Sequence, residues 1–154
     1  MAETLGSLCD KLTIVKLKQW HSEDPARLQS LGAQEHQLKD EIDDYVGSAV
    51  SGEIPSDRLT FAANKVYKKE GNAVQEVAGT IGEIVSQLAV VNCALWHEQE
   101  KAYEFEKVPP EEKDKVVRRL ALLNLERNHC IDGIDREFKS IIDGHRRGAQ
   151  AEDR

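Results

Sequence analysis

The stretch from Asn72 to Phe105, NAVQEVAGTIGEIVSQLAVVNCALWHEQEKAYEF, constrains the fold more than any other part of the chain. Placed at roughly 100° per residue, it carries two adjacent apolar stripes. The first is Val74, Val77, Ile81, Ile84, Leu88, Val91 and Leu95; the second is Ala78, Gly82, Val85, Ala89, Cys93 and Trp96. A helix on the surface of a domain needs a single apolar stripe, so two stripes predict a helix flanked on two sides inside a bundle. The mostly small residues of the second stripe suit close approach by a neighbour. Asn72 as N-cap with Gln75 three residues later signals the start, placing this central helix at about 73–105.

The remaining segments also read as helices, and none alternates with period two. A first helix runs from about Leu5 to His21 behind Thr4, with Leu5, Leu8, Cys9, Leu12, Val15 and Trp20 on its main stripe. Asp24-Pro25 pairs an N-cap with proline at the first helical position. It opens a helix through Leu28, Leu31, Leu38, Ile42, Tyr45 and Val46, which ends by Gly52. Ile54-Pro55 forces a break, and Ser56 starts a shorter helix through Leu59, Ala62, Ala63 and Val66. Pro109-Pro110 with Glu111 and Glu112 opens the last helix, which extends to about Ile142. Gly144 is a stop signal, and 144–154 reads as a disordered tail. The expected fold is all-α: one domain over residues 1–143, a helical bundle of four long helices plus one short helix.

Composition narrows the functional classes. A chain of 154 residues suits one domain that needs neither disulfide nor metal for stability. The three cysteines, Cys9, Cys93 and Cys130, are odd in number and fall on or beside apolar faces, as expected of free thiols in a reducing compartment. The N-terminus has no basic region followed by an apolar one, so a cytoplasmic location is expected. No apolar run reaches the ~18 residues that span a bilayer, and membrane insertion is not expected. A net charge of −7 argues against a nucleic-acid partner.

The anomalies are polar residues where the pattern calls for leucine. In the last helix Arg127 projects near the centre of a stripe formed by Val116, Leu120, Leu123, Ile131, Ile134, Phe138, Ile141 and Ile142, with Asn124, Asn128 and Asp135 on its flank. Glu35 sits between Leu31 and Leu38, Lys16 falls among apolar residues of the first helix, and Asn92 and Gln99 interrupt the central one. A buried charge without a partner costs several kcal/mol, so these groups must meet each other, water or a ligand. Glu35 is the expected partner of Arg127. One reading is a satisfied polar layer that sets helix register; the other is a pocket for a small polar or anionic ligand. Glu126-x-x-His129 has the spacing of di-iron bundles, but it occurs once and projects outward, so no metal site is expected. No glycine-rich phosphate loop or supported nucleophile is present, and no cofactor is expected. Ile14 and Leu17, with the small-residue stripe, offer more apolar surface than one core consumes, which predicts a homodimer.

LGSLCDKLTIVKLKQWH (Leu5 to His21) resembles the G-x-L-x-D-K-L-[ST]-I-x-x-x-K opening of small helical bacterial proteins of unknown function. LALLNLERNHCIDGIDREF (Leu120 to Phe138) resembles the L-N-x-x-R-N-x-x-I-x-x-I-D close of a related uncharacterised family. That family's N-x-x-L-W-x-x-E falls on Asn92 to Gln99, with Gln99 replacing the acid. The resemblance implies a connection with bacterial cell-surface carbohydrate synthesis. It supplies no catalytic residue, but it directs attention to Asp10, Lys11, Asn92, Trp96, Asn124, Arg127, Asn128 and Asp135. Two functions are therefore expected to compete. One is binding of a small polar or anionic molecule, of the sugar or nucleotide-sugar class, at Lys16, Glu35, Asn92, Trp96, Asn124, Arg127, Asn128 and Asp135. The other is a non-catalytic interaction module whose polar layer is purely structural.

Overall fold

The helix boundaries follow from local chemistry in the computed structural model, which describes residues 2–61 and 77–153. Helix α1 (Leu5–Trp20) starts on a reciprocal cap in which Ser7 N donates to Thr4 Oγ1 at 3.2 Å and Thr4 N donates to Ser7 Oγ at 2.8 Å. Helix α2 (Pro25–Ser51) starts with Ala26 N donating to the Asp24 carboxylate at 3.1 Å and stops at Gly52, whose φ of 88° is the left-handed turn that glycine adopts without strain. Helices α3 (Ile81–Tyr103) and α4 (Pro110–Glu152) complete the set, with single 3₁₀ turns at Ser56–Arg58 and Phe105–Lys107. The fold is an all-α helical bundle, with no strand among the described residues.

Two boundaries differ from the sequence reading. The central helix begins at Ile81 rather than about residue 73, because Thr80 and Glu83 form the capping box that starts it. Glu83 Oε2 accepts from Thr80 N at 3.0 Å, and Gly79 just before has φ 138°, outside any helix. The Asn72 and Gln75 cap, and the remainder of the third helix beyond the turn at Ser56–Arg58, lie outside the described residues. At the other end α4 continues through Gly144 to Glu152, so 144–152 is helical rather than a tail. Part of the reason is a tertiary anchor. Arg146 Nη2 donates to the carbonyls of Ala49 and Ile54 at 2.7 Å each, tying the end of α4 to the chain where α2 ends.

Helices α1 and α4 are the inner pair, each packed on all three other long helices, while α2 and α3 flank them. Ile84, Leu88, Cys130, Ile134 and Ile142 are fully buried at the centre, and Leu5, Leu95, Leu123 and Phe138 enclose them. Burying each such aliphatic side chain contributes roughly 1.5–3 kcal/mol. The first stripe of α3 supplies Ile84, Leu88, Val91 and Leu95 to this core. Its second stripe is only partly covered: Val85 packs on the core and Trp96 under the end of α1, whereas Gly82 and Ala89 are exposed, Cys93 is half-buried, and neighbouring Val90 is 66% exposed. Helix α3 thus packs on two long helices, α4 and α1, as expected of a flanked helix, but Gly82 and Ala89 of its second stripe remain in solvent. Among the described residues no helix is long and apolar enough to cross a membrane.

Candidate functional site

The α1–α4 contact is antiparallel and is built on residues one turn apart. On α1 these are Gly6 and Asp10; on α4 they are Arg127, Ile131 and Asp135. Gly6 sits so close to α4 that an added Cβ would lie 2.3 Å from the Ile131 carbonyl oxygen. Its N–H donates to Asp135 Oδ1 at 2.7 Å, and the Thr4 hydroxyl also bonds that carboxylate. Asp135 thus closes the N-terminus of α1 from another helix, where an anion is favoured. Burial nevertheless pushes its carboxyl up to about 6, against the lowering effect of those two hydrogen bonds.

One turn along α1, Asp10 receives a two-pronged bond from Arg127: Nε to Oδ1 at 2.8 Å and Nη2 to Oδ2 at 2.5 Å. Asn92 Nδ2 adds a bond to Asp10 Oδ1 at 2.9 Å and another to Thr13 Oγ1 at 2.8 Å, tying α3 to the same layer. The Asp10 side chain is 5% exposed and its acceptors are engaged; Arg127 is 32% exposed. The carboxylate holds the Arg127 guanidinium above its already high ordinary value. A fork donor facing a carboxylate is the pairing for which arginine is suited.

The exposed side of Arg127 faces a cleft of about 430 Å³, within the usual range for small-molecule sites. Ile14, Leu17 and Lys18 of α1 form one wall; Asn92, Leu95, Trp96, Gln99, Glu100 and Tyr103 of α3 form the other, and Arg27 at the start of α2 closes the edge. Trp96 is held twice. Its Nε1 donates to Glu100 Oε1 at 2.9 Å, and the His21 ring stacks on it at 4.6 Å with 18° between planes. His21 is itself fixed by a 2.8 Å contact from Nδ1 to the Leu17 carbonyl. Lys18 and Arg27 make no ion pair among the described residues.

The structure brings together some of the residues singled out from sequence and disperses others. Arg127, Asn92 and Trp96 meet at the layer and cleft. The expected Arg127–Glu35 pair is wrong. Glu35 accepts from Gln19 at 2.8 Å and from Lys16 at 3.3 Å on the outer α1–α2 seam. Lys16 and Glu35 therefore leave the candidate site. The cause is geometric: α2 meets α4 near their C-terminal ends, through Tyr45 against Phe138 and through Arg146. Glu35 lies farther back along α2. Asn124 is exposed and Asn128 half-buried, and neither side chain has a hydrogen-bond partner among the described residues. Asp135 belongs to the cap on α1, two turns from the cleft.

Stripe reasoning missed Asp10, to which only the resemblance pointed, and it missed Thr13, Lys18, Arg27 and Tyr103. A signal for Asp10 was present: it stands one turn after Gly6, on the face that glycine opens to a close neighbour. Cys9 and Cys130 are pushed up to about 11 by burial first and nearby carboxylates second, so neither is a nucleophile at neutral pH. Among the described residues no three His, Cys, Asp or Glu are grouped to hold a metal ion. Comparison with protein-family models, curated proteins and solved structures finds no match to this chain.

Proposed function

We propose that the cleft beside Arg127 binds a small anionic ligand of the sugar or nucleotide-sugar class. One observation carries the reading: among the described residues Lys18, Arg27 and Arg127 line the cleft with one lining carboxylate, Glu100, so that two cations remain without an ion pair beside the Asp10-paired Arg127, in a chain of net charge −7. Glu100 is already engaged by Trp96, and Arg27 stands in the first turn of α2, where the helix dipole disfavours a cation. The site is locally inverted in sign and rimmed by aromatic and amide side chains, as recognition of an anion joined to a ring requires. Asp10 and Asn92 then serve as the support that aims Arg127. The test follows Trp96 fluorescence in a Trp20→Phe background while UDP-glucose is added. Saturable quenching, weakened by Lys18→Ala with Arg27→Ala at unchanged melting temperature, is expected. Absence of saturation up to millimolar concentrations would overturn the reading.

A second reading is favoured by a separate observation. Between Glu83 and His97 the chain has no charged residue, and this stretch exposes Ala89 and Val90 to solvent. An uncharged face in so charged a protein suits a homodimeric interaction module. Light scattering across a wide concentration range decides it: a mass that doubles in the wild type but not in Val90→Glu supports the module, and a constant monomer mass removes it.

A further inference from the structure

The outer half of the cleft contains an aromatic side chain that the fold does not use. Tyr103 is the last residue of α3, lines the cleft, and is 82% exposed. It stands seven residues after Trp96, which places both rings on nearly the same face of α3, about 10 Å apart along its axis. The two differ in occupancy. One face of Trp96 is already covered by His21 at 4.6 Å, whereas Tyr103 stacks on no ring among the described residues. Gln99 lies one turn from each, and its amide, with both donor and acceptor capacity, has no hydrogen bond among the described residues. Across the cleft stand Lys18 and Arg27, likewise without ion pairs.

We infer that Tyr103 and Gln99 form a base-stacking subsite, so that the ligand of this cleft is a nucleoside diphosphate unit whose phosphates meet Lys18, Arg27 and Arg127. The inference rests on the anion-binding reading above and adds the chemical class of the ring. An exposed tyrosine beside an unused amide suits a flat heterocycle, because the ring supplies a π-face and the amide meets a polar edge. Cations on the opposite wall then sit where the phosphates of the same molecule would lie. The helix end after Tyr103, where the chain turns at Glu104 with φ −110° and ψ 40°, leaves the ring accessible from solvent.

Calorimetric titration of the full chain with UDP and, separately, with inorganic pyrophosphate tests the subsite. UDP should bind more tightly than pyrophosphate by roughly 5- to 150-fold, the range that stacking on an aromatic side chain supplies. Tyr103→Ala should remove that advantage and leave pyrophosphate affinity unchanged, and Tyr103→Phe should keep it. Because Tyr103 is exposed, neither variant disturbs the core. Equal affinity of the wild type for UDP and pyrophosphate would overturn the subsite while the anion-binding reading stands. Equal loss of both probes in Tyr103→Ala would also overturn it, since the ring would then be supporting the cation site. Failure of both probes to bind the wild type would overturn both readings.

Discussion

The Asp10–Arg127 pair and the Lys16–Glu35 pair begin from the same sequence feature, a charged residue set in an apolar stripe, and end as opposite structures. In the first, two bonds join a 5% exposed carboxylate to a guanidinium, and Asn92 from a third helix completes the acceptor set. In the second, a lysine side chain 58% exposed reaches a carboxylate at 3.3 Å on the outer seam of α1 and α2. The difference lies in what stands opposite. Helix α1 faces α4 on the Gly6–Asp10 side, and water is shut out there by a glycine in contact with backbone. On the Lys16 side α1 faces only α2, and solvent reaches the pair. A polar residue in a stripe therefore signals an interior site only when a second helix is close enough to exclude water.

The most direct way to break this comparison is to remove one partner from each pair. Arg127→Leu strands the Asp10 carboxylate and should cost about 3–5 kcal/mol in urea unfolding, with much of that recovered in Asp10→Leu/Arg127→Leu. The Lys16→Leu and Glu35→Leu cycle should show additive changes, as exposed pairs do. Strong coupling in the outer pair, or none in the inner one, would reverse the assignment.

Gly6→Ala tests the close approach itself. The new Cβ would meet the Ile131 carbonyl at 2.3 Å and Asp135 Oδ1 at 2.8 Å, neither of which can withdraw cheaply. A loss of roughly 3 kcal/mol is expected from such overpacking. Gly82→Ala on the exposed face, where nothing lies within 4 Å, should instead hold or raise stability.

Asp135 sharpens the comparison through pH. Its folded carboxyl titrates near 6, above the ordinary 3.8, so the folded state binds more protons than the unfolded state between those values. The stabilising contribution of its protonated form is fully present below about 4 and is lost as pH rises through 6. Relative to Asp135→Asn, the wild type should therefore lose on the order of 2 kcal/mol between about pH 4.5 and 6.5. A flat difference would place that carboxylate in contact with water. Glu35 and Asp143 are held below the usual carboxylate value by hydrogen bonds from Gln19 and from Lys139 respectively. They act in the opposite direction, and only at lower pH.

The smallest expected effect concerns Lys18 and Arg27. Neither has an ion-pair partner among the described residues, so Lys18→Ala and Arg27→Ala should shift the melting temperature by a degree or less while weakening pyrophosphate binding. A clear stability loss in either would mean that the cleft cations are structural, and would align the cleft with the closed layer beneath it.

Sequence alone determined what is set within a few turns of chain. The caps at Thr4 and Asp24, the stop at Gly52, the proline start of α4 and the buried stripe Ile84–Leu88–Val91–Leu95 are all local matters of hydrogen-bond supply and 3.6-residue periodicity. Tertiary structure decided which helices meet and at what height. It put α2 against α1 and the far end of α4, so that Glu35 never reaches Arg127. It left Gly82 and Ala89 of the second stripe of α3 in solvent and drew α4 on past Gly144 through the Arg146 anchor. Asp10 shows the boundary between the two most clearly. Its residue type and one-turn spacing from Gly6 were plain, but its role depended on Arg127 lying 117 residues away in the chain. Periodicity reports which side of a helix is apolar; only packing decides which neighbour covers it and whether water remains.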